Sequence, residues 1–346
     1  MQHVKKALAL AAGGLCVFAV ATAQLADSNR VYRENRQVEV MSQFINLKLA
    51  LSNDIEQLSV RTATEKFNLY PNGNAYFKLS LNYRFIALNF KFAPDFLAGT
   101  ADNNSKGKTR FQGIGTDFNF KRSFHQLSYR RTKGYYLDNT ADFNPAWRPG
   151  QPYFQFPQLQ FTQFQLVSGY NSNPAMSLNS LMVQTERQLK SAGAFLPHIT
   201  MRYYVVDDKT ALTGNNSSQR SRNFEWTITP SYVYNHVMKN DFYLAGGGGA
   251  GIGVLFTRLD TRLPTGTIQQ RSEDFVFRWH LRSGIGYNGT RIFSGAYFDM
   301  QGANFRQENT TATNREVRIF YSLFAGYRLN APTQLKRLTD KASRLI

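Results

Sequence analysis

Apolar side chains recur at every second position along most of this chain from residue 43 onward, and the runs are unusually long. In residues 273–287, for instance, Phe275, Phe277 and Trp279 share one face and Arg278 lies on the other. A period of two is that of a β-strand, and these runs extend over about 10 to 15 residues, whereas strands of globular proteins average about five or six. The sequence therefore predicts an all-β fold, a transmembrane antiparallel up-and-down β-barrel with its apolar faces toward lipid.

The first 23 residues have the pattern of a secretory signal peptide. Lys5 and Lys6 precede an apolar run over residues 7–20, and residues 21–23 form an A-x-A cleavage site. The run is shorter than the roughly 20 residues that a membrane-spanning helix needs. Cleavage would remove Cys16, the sole cysteine. Export together with strand length predicts location in the outer membrane of a Gram-negative bacterium. A soluble periplasmic barrel is the alternative fold.

The predicted barrel occupies residues 43–329 of a monomeric, single-domain protein. Residues 24–42 before it are expected to form a periplasmic segment, and residues 330–346 a basic periplasmic tail. We count about 14 strand candidates, and barrels of this class usually have an even number of strands. We therefore expect 12 to 14 strands.

The connections give two local predictions and leave one question. The parity of the apolar positions changes around residues 84–85, which indicates a two-residue hairpin there or a β-bulge. Polar composition predicts a loop over residues 258–272. Long extracellular and short periplasmic connections should alternate, but this alternation is lost between residues 137 and 206. Either a strand is missed there or one connection breaks the rule.

The stretch LAGGGGAGIGVLF, residues 244–256, contains the G-x-G-x-x-G spacing of dinucleotide-binding loops, at Gly246, Gly248 and Gly251. Such a loop needs a helix after the glycines, because the phosphates bind at the helix N-terminus. Here an alternating half-strand follows instead. We interpret the stretch as a barrel strand whose glycines make room for a neighbour or let the sheet bend. A glycine-lined notch for a ligand is the other possibility; no dinucleotide and no other cofactor is predicted.

Charge gives the strongest functional indication. The chain has 41 Lys+Arg against 23 Asp+Glu, a formal net charge of +18, which favours an anionic partner. Export argues against nucleic acid, so we expect outer-membrane lipid and lipopolysaccharide, and anionic small solutes, as partners. The basic residues predicted to line a possible anion path through the lumen are Arg202, Arg278, His280, Arg282, Arg318 and Arg328, together with Lys48 and Lys78.

These basic residues allow two interpretations. In one, the barrel is a narrow, anion-favouring channel. In the other, Asp117, Glu225 and Asp299 neutralise the bases within a packed lumen, and the barrel is a non-conducting structural or envelope-interaction protein. The two stay open at this point.

A lipid-modifying enzyme is a third possibility, because some outer-membrane barrels use a Ser/His pair. His125 lies three residues before Ser128, which places them on opposite faces of a strand. The sequence has no nucleophile elbow, no H-E-x-x-H and no metal-spaced cluster. We therefore assign no catalytic, cofactor-binding or metal residues.

Two stretches resemble a known family: YPNGNAYFKLSLNYRFIALNFKF, residues 70–92, and GYNSNPAMSLNSLMVQTERQLKSAGAFL, residues 169–196. They are similar to the domain-of-unknown-function 4421 family of bacterial outer-membrane β-barrel proteins. The second carries an E-x-Q-x-x-S-A-G run, at Glu186, Gln188, Ser191, Ala192 and Gly193. The resemblance implies a location and a fold over about residues 40–330. It implies no activity and no site residues.

Overall fold

A computed structural model of the protein describes residues 31–342, except for 54–56, 62–64, 74, 95, 98–101, 215 and 307–312. The predicted signal peptide, residues 1–23, lies outside this range. Among the described residues, no helix has the length and apolar character needed to cross a membrane.

The described strands are β1 (Val31–Arg33), β2 (Val38–Val40), β3 (Phe44–Ser52), β4 (Leu58–Arg61), β5 (Lys66–Tyr70), β6 (Tyr76–Tyr83), β7 (Ile86–Phe92), β8 (Arg110–Asn119), β9 (Ser123–Leu137), β10 (Gln155–Tyr170), β11 (Glu186–Gln188), β12 (Ala192–Phe195), β13 (His198–Asp208), β14 (Ser218–Thr229), β15 (Ser231–Val237), β16 (Phe242–Leu263), β17 (Gly266–Asn288), β18 (Ile292–Arg306) and β19 (Thr313–Asn330). The described helices are α1 (Asn103–Lys106), α2 (Thr140–Phe143), α3 (Leu178–Met182) and α4 (Thr333–Ala342).

Twelve of these strands close into a ring. Its order is β10, β13, β14, β16, β17, β18, β19, β3, β6, β7, β8 and β9, and β9 pairs again with β10. β12 continues the line of β13 and β15 that of β14, in unchanged register, with breaks at Pro197 and Pro230, which have no N–H to donate. The predicted antiparallel barrel is confirmed, with 12 strands.

Apolar side chains cover the outside of the barrel. On β3, Leu47 and Leu49 are 42% and 46% exposed, whereas Lys48 between them is 4% exposed. Met201 and Tyr203 on β13 are exposed in the same way. A soluble barrel would bury such side chains, so this exterior is that of a lipid-facing barrel.

The two ends of the barrel differ in their connections. At one end, which we call the short-turn end, the barrel strands are joined by residues 84–85, 120–122, 238–241 and 289–291. At the other, the long-connection end, residues 53–75, 93–109, 138–154 and 209–217 form long connections, whereas β16 and β17 are joined there by the two-residue turn 264–265. β3 begins and β19 ends at the short-turn end.

The predicted hairpin at residues 84–85 is confirmed, because Tyr83 pairs with Ile86 and Arg84 has a positive φ of 52°. The loop predicted over residues 258–272 is wrong. β16 and β17 stay paired as far as Leu263 and Gly266. On both strands, polar residues occupy the part between the apolar band and the turn at residues 264–265. The hydrophobic pattern therefore ends there, although the backbone pairing continues.

The connection over residues 171–191 accounts for the lost alternation. It joins β10 to β12 at the short-turn end, yet it is long and folds into the lumen as α3 and β11. β11 pairs with β2, which pairs with β1, so a second sheet of three strands forms at this end. One connection therefore breaks the rule. We call residues 171–191 the plug.

A second segment folds inward at the long-connection end. β4 and β5 form a hairpin, which we call the cover, and β5 joins the barrel through only two pairs, Leu69 with Leu137 and Tyr70 with Tyr136. Leu58 and Leu69 belong to an apolar cluster with residues of β9 and β10, including Leu137 and Phe161.

Candidate functional site

The glycine-rich stretch lies within β16 and shapes the lumen. A Cβ on Gly251 would lie 2.1 Å from Thr229 Oγ1, and one on Gly253 would lie 2.0 Å from the Trp226 carbonyl oxygen. Only glycine permits this close approach of β14. The strand continues to Leu263, so no helix follows the glycines. The interpretation as a barrel strand is confirmed.

These glycines leave the inner surface of β16 without side chains over residues 247–253. Arg278 on β17 therefore reaches across β16 to Glu225 on β14, with Nε and Nη2 donating at 2.5 and 2.7 Å. The rings of His280 on β17 and His198 on β13 lie 6.0 Å apart, although two strands separate β13 from β17. Polar groups from both sides thus meet over β16.

The plug seals the short-turn end with both apolar and polar contacts. Leu178 and Leu181 of α3 pack in a buried cluster with Phe124, Ala194 and Tyr243 from the inner barrel wall. Side chains of β3, β6 and β18 bind the plug backbone. These hydrogen bonds run from Lys48 Nζ to the Met182 carbonyl (3.0 Å), from Asn46 and Asn82 Nδ2 to the Val183 carbonyl (3.2 and 3.0 Å), and from the Tyr297 hydroxyl to the Leu181 carbonyl (2.6 Å).

Arg328 is a predicted lumen residue that lies against the plug. Its side chain is 0% exposed. Nη2 donates to the Gln184 carbonyl and to Asn288 Oδ1, both at 2.6 Å, and Nη1 donates to the Gly289 carbonyl. The guanidinium thereby ties the last barrel strand to the plug and to the β17–β18 turn.

The residues that carry the family resemblance hold the plug in shape. Glu186 accepts hydrogen bonds from Ser177 Oγ (2.5 Å) and from Arg33 Nη2 (2.5 Å). Gln188 accepts from the Ser177 backbone N–H at 2.8 Å. Ser191 Oγ lies 3.3 Å from His236 Nδ1. The residues of this motif therefore have a structural role: they fix the conformation of the plug, which fills the short-turn end of the lumen.

Next to the plug lies a cavity of about 1020 Å³ inside the barrel. Its floor is formed by Leu178, Leu181 and Met182 of the plug, and its lining extends to Asp208 and Ser218 near the long-connection end. Polar side chains that line the wall include Gln126, Gln163, Gln165, Gln301, Thr200 and Thr227. The cavity therefore leads from the long-connection end to the plug.

Four of the six predicted lumen residues, Arg202, Arg278, His280 and Arg282, line this cavity. Arg282 Nε donates to Asp299 at 2.5 Å, and Arg202 lies 4.0 Å from Glu225. The side chain of Arg318 lies outside the described part of the structure.

Lys48 and Lys78 share the inner face of the barrel with Lys91, which lies 5.1 Å above the ring of Tyr76. Asp117 on the same wall accepts from Asn89 Nδ2 at 2.7 Å. Along this wall, bases outnumber the acids that the sequence identified as counter-charges.

The sequence analysis missed one cavity residue, Arg130. Its Nη2 donates to Gln163 Oε1 at 2.9 Å inside the barrel. Arg131 follows it directly and therefore lies on the outer face. The parity of the apolar Leu127 and Tyr129, which face outward, was the available signal.

The enzyme possibility finds little geometric support. His125 Nδ1 lies 2.9 Å from Ser168 Oγ across the strand pair, not next to Ser128. The pair lies on the outer face, since His125 is two residues from the outward-facing Leu127 and therefore shares its face. The His125 ring also contacts Phe120, and among the described residues no group of three or more His, Cys, Asp or Glu side chains could hold a metal.

Comparisons with known proteins give the following matches. A family model described as Domain of unknown function (DUF4421) matches residues 38–329. A search of curated proteins found no match. The chain is similar to the outer membrane protease OmpT from Escherichia coli, with 8% identity, 89% of this chain and 100% of that chain covered, and a TM-score of 0.34. It is also similar to OmpT, an outer membrane protein of Vibrio cholerae, with 10% identity, 83% and 98% covered, and a TM-score of 0.32.

Proposed function

We propose that this chain, which belongs to the family Domain of unknown function (DUF4421), is an outer-membrane β-barrel that is closed to conduction by its own plug and binds polar, preferentially anionic solutes in a cavity open to the exterior. The observation that carries the proposal is the plug, which fills the short-turn end of the lumen and is hydrogen-bonded to β3, β6, β18 and β19.

Orientation follows from the connections. Outer-membrane barrels have short periplasmic turns and longer extracellular loops. The short-turn end, which holds the plug, the beginning of β3 and the end of β19, is therefore the periplasmic end. The cavity mouth at the long-connection end then opens to the cell exterior. The predicted periplasmic placement of residues 24–42 and 330–346 is part of the same proposal.

The contacts of the plug argue against conduction at rest. Displacing the plug would remove both acceptors of Lys48, the Met182 carbonyl and Gln184 Oε1, and would remove the Gln184 carbonyl from Arg328. A buried cation that loses hydrogen-bond acceptors is costly. The barrel is therefore closed in its ground state. This favours the non-conducting interpretation over the open channel.

The preference for anions rests on the inner charges. Arg130, Arg202, Arg278 and Arg282 line the cavity together with the acidic Glu65, Asp208 and Asp299, and Lys48, Lys78 and Lys91 lie on the remaining inner wall with Asp117, so bases outnumber acids. A low-dielectric wall with a surplus of one charge concentrates the opposite ion. The same surplus supports a second candidate function, an anion-favouring channel that conducts when the plug moves.

The test is to record currents from the mature chain in planar bilayers, next to a variant in which residues 176–188 are replaced by a short Gly/Ser linker. A heat-modifiable gel shift establishes that both proteins are folded. We expect a silent wild-type barrel and a variant with stepwise, anion-selective currents. Steady wild-type currents equal to those of the variant would contradict the proposal, because the plug would then not close the lumen.

A further inference from the structure

Three basic side chains share the outer surface of β8 and β9 near the long-connection end. Arg110 lies directly opposite Lys133, and Arg131 is the next outward residue along β9. They point outward because they alternate with Phe111 and Thr132, which are 7% and 0% exposed. These three residues, which we call the basic triplet, thus form one patch on the barrel exterior.

The basic triplet contains no acidic side chain. Among the described residues, none of its members forms an ion pair, and its side-chain hydrogen bond runs from Arg131 Nη2 to Gln160 Oε1 at 2.7 Å. Like charges directly opposite one another on a sheet are destabilising. An anion from outside the chain would relieve this repulsion between Arg110 and Lys133.

The triplet lies at the border of the apolar band. The outward residues one step further toward the short-turn end are Ile114 on β8, Tyr129 on β9 and Phe164 on β10, which pair in one row across the three strands. They are 50%, 38% and 46% exposed. A ligand bound to the triplet therefore has an apolar, aromatic surface directly beside its anionic group.

A second basic group occupies the same border on β14 and β16 but carries its own counter-charges. Arg222 and Arg258 bind Asp260 at 2.7 and 3.3 Å, and Arg262 binds Asp207 at 2.7 Å, with Arg220 a further 3.8 Å from the same Asp207. Phe224 and Phe256 lie one outward step further along these strands, as Tyr129 does on β9. We call Arg222, Arg258 and Arg262 the paired group.

We propose that the basic triplet binds the phosphate groups of a phosphorylated glycolipid in the outer leaflet, whose acyl chains lie along the row of Ile114, Tyr129 and Phe164. Guanidinium groups bind phosphate through parallel N–H donors, and two arginines and a lysine supply enough charge for a dianionic headgroup. This inference rests on the membrane orientation given under the proposed function, but on neither the plug nor the cavity.

The experiment uses the full mature barrel in detergent and measures its binding of lipid A that carries or lacks its phosphate groups. The variants are Arg110→Gln/Arg131→Gln/Lys133→Gln for the triplet and Arg222→Gln/Arg258→Gln/Arg262→Gln for the paired group, which loses the same charge. Heat-modifiable migration in gels shows that each barrel is folded. Because the substitutions lie on the outer face of the barrel, they should leave ion conduction and the cavity unchanged.

We expect the triplet variant to bind phosphorylated lipid A at least about tenfold more weakly than the wild type, since charge-assisted hydrogen bonds are lost. The paired-group variant should stay within about twofold of the wild type, because its arginines already have partners. Equal losses in both variants, or undiminished binding by the triplet variant, would overturn the proposal. So would equal binding of lipid A without phosphate.

Inorganic phosphate separates a lipid headgroup from a free anion. We expect excess inorganic phosphate to displace little bound lipid A, since it lacks the apolar contact with Tyr129 and its neighbours. Saturable binding of inorganic phosphate that displaces lipid A completely would assign the triplet to a free anion and overturn the lipid proposal.

Discussion

The two ends of the lumen are covered by inward-folded segments that are held by different kinds of contact. At the short-turn end, the plug is held by buried donors such as Lys48 and Arg328, each bonded to specific plug carbonyls. At the long-connection end, the cover rests on apolar contacts of Leu58 and Leu69 with the inner wall, on two strand pairs, and on hydrogen bonds of β5 with Asn139 that are exposed or only partly buried.

This difference indicates a fixed end and an end that can open. Buried hydrogen bonds are directional, and each one that breaks leaves an unsatisfied group, so a polar network has one favourable arrangement. Apolar contact has no such direction, and a small contact of this kind costs little to undo. The cavity between the two segments should therefore be entered past the cover.

The largest effect is expected from Arg328→Met, which should weaken the fixed end most. The change removes the donors for the Gln184 carbonyl and Asn288 Oδ1 within the buried interior. We expect a loss of roughly 3 kcal/mol in the free energy of unfolding. It is measured by urea titration of the folded gel band.

The control for this variant is Arg122→Gln, because Arg122 lies exposed at the same end and binds the Tyr170 hydroxyl. It should change stability by less than about 0.5 kcal/mol. Equal stability of the two variants would show that the buried bonds of Arg328 do not hold the fixed end.

A smaller effect is expected from Lys48→Met, which removes two of the plug's bonds but fills the space of the lysine chain. The loss should be about 1–2 kcal/mol, and brief currents should appear against a silent wild type. Proteolysis of the plug should become faster in parallel. Silent recordings with an unchanged proteolysis rate would mean that Lys48 does not contribute to closure.

Replacing the cover, residues 57–70, with a short Gly/Ser linker tests whether the cover restricts entry to the cavity. Since the predicted mature chain lacks cysteine, Gln163→Cys in the cavity and Thr162→Cys on the outer face can be labelled separately. We expect several-fold faster labelling at Gln163→Cys by a bulky maleimide and no change at Thr162→Cys. Unchanged labelling at both positions would show that the cover does not restrict entry.

The smallest effect on folding is expected from Arg282→Gln. Arg282 pairs with Asp299, but its side chain is 49% exposed, so the stability change should stay within about 1 kcal/mol. In the barrel without a plug, Arg278→Glu/Arg282→Glu should shift the reversal potential toward cation preference. An unchanged reversal potential would show that Arg278 and Arg282 do not determine ion selectivity.

The sequence alone predicted the barrel and the direction of its faces, because lipid favours apolar side chains at the outward positions within the apolar band. Leu47, Lys48 and Leu49 show this pattern directly. The same rule placed the turn at residues 84–85. These features depend on neighbours in the sequence, so periodicity reveals them.

The plug and the pairings of the lumen were beyond such reasoning. Alternation places Arg328 on the inner face, but it does not give the height of the plug within the barrel. The contact between Arg278 and Glu225 spans β16 and depends on strand order and on the absence of side chains there. The sequence could therefore identify the inward bases without telling which line a cavity and which hold a plug.

The hold of the plug on Arg328 and Asn46 has a mechanical consequence. These two residues lie directly opposite each other where the first and last barrel strands meet, which is the seam of the cylinder. Asn46 donates to the Val183 carbonyl and Arg328 to the Gln184 carbonyl, so the plug is hydrogen-bonded to both strands of the seam. Force applied to the plug is therefore transmitted to the first and last barrel strands together, which are themselves paired from Ser52 and Ser322 to Phe44 and Asn330.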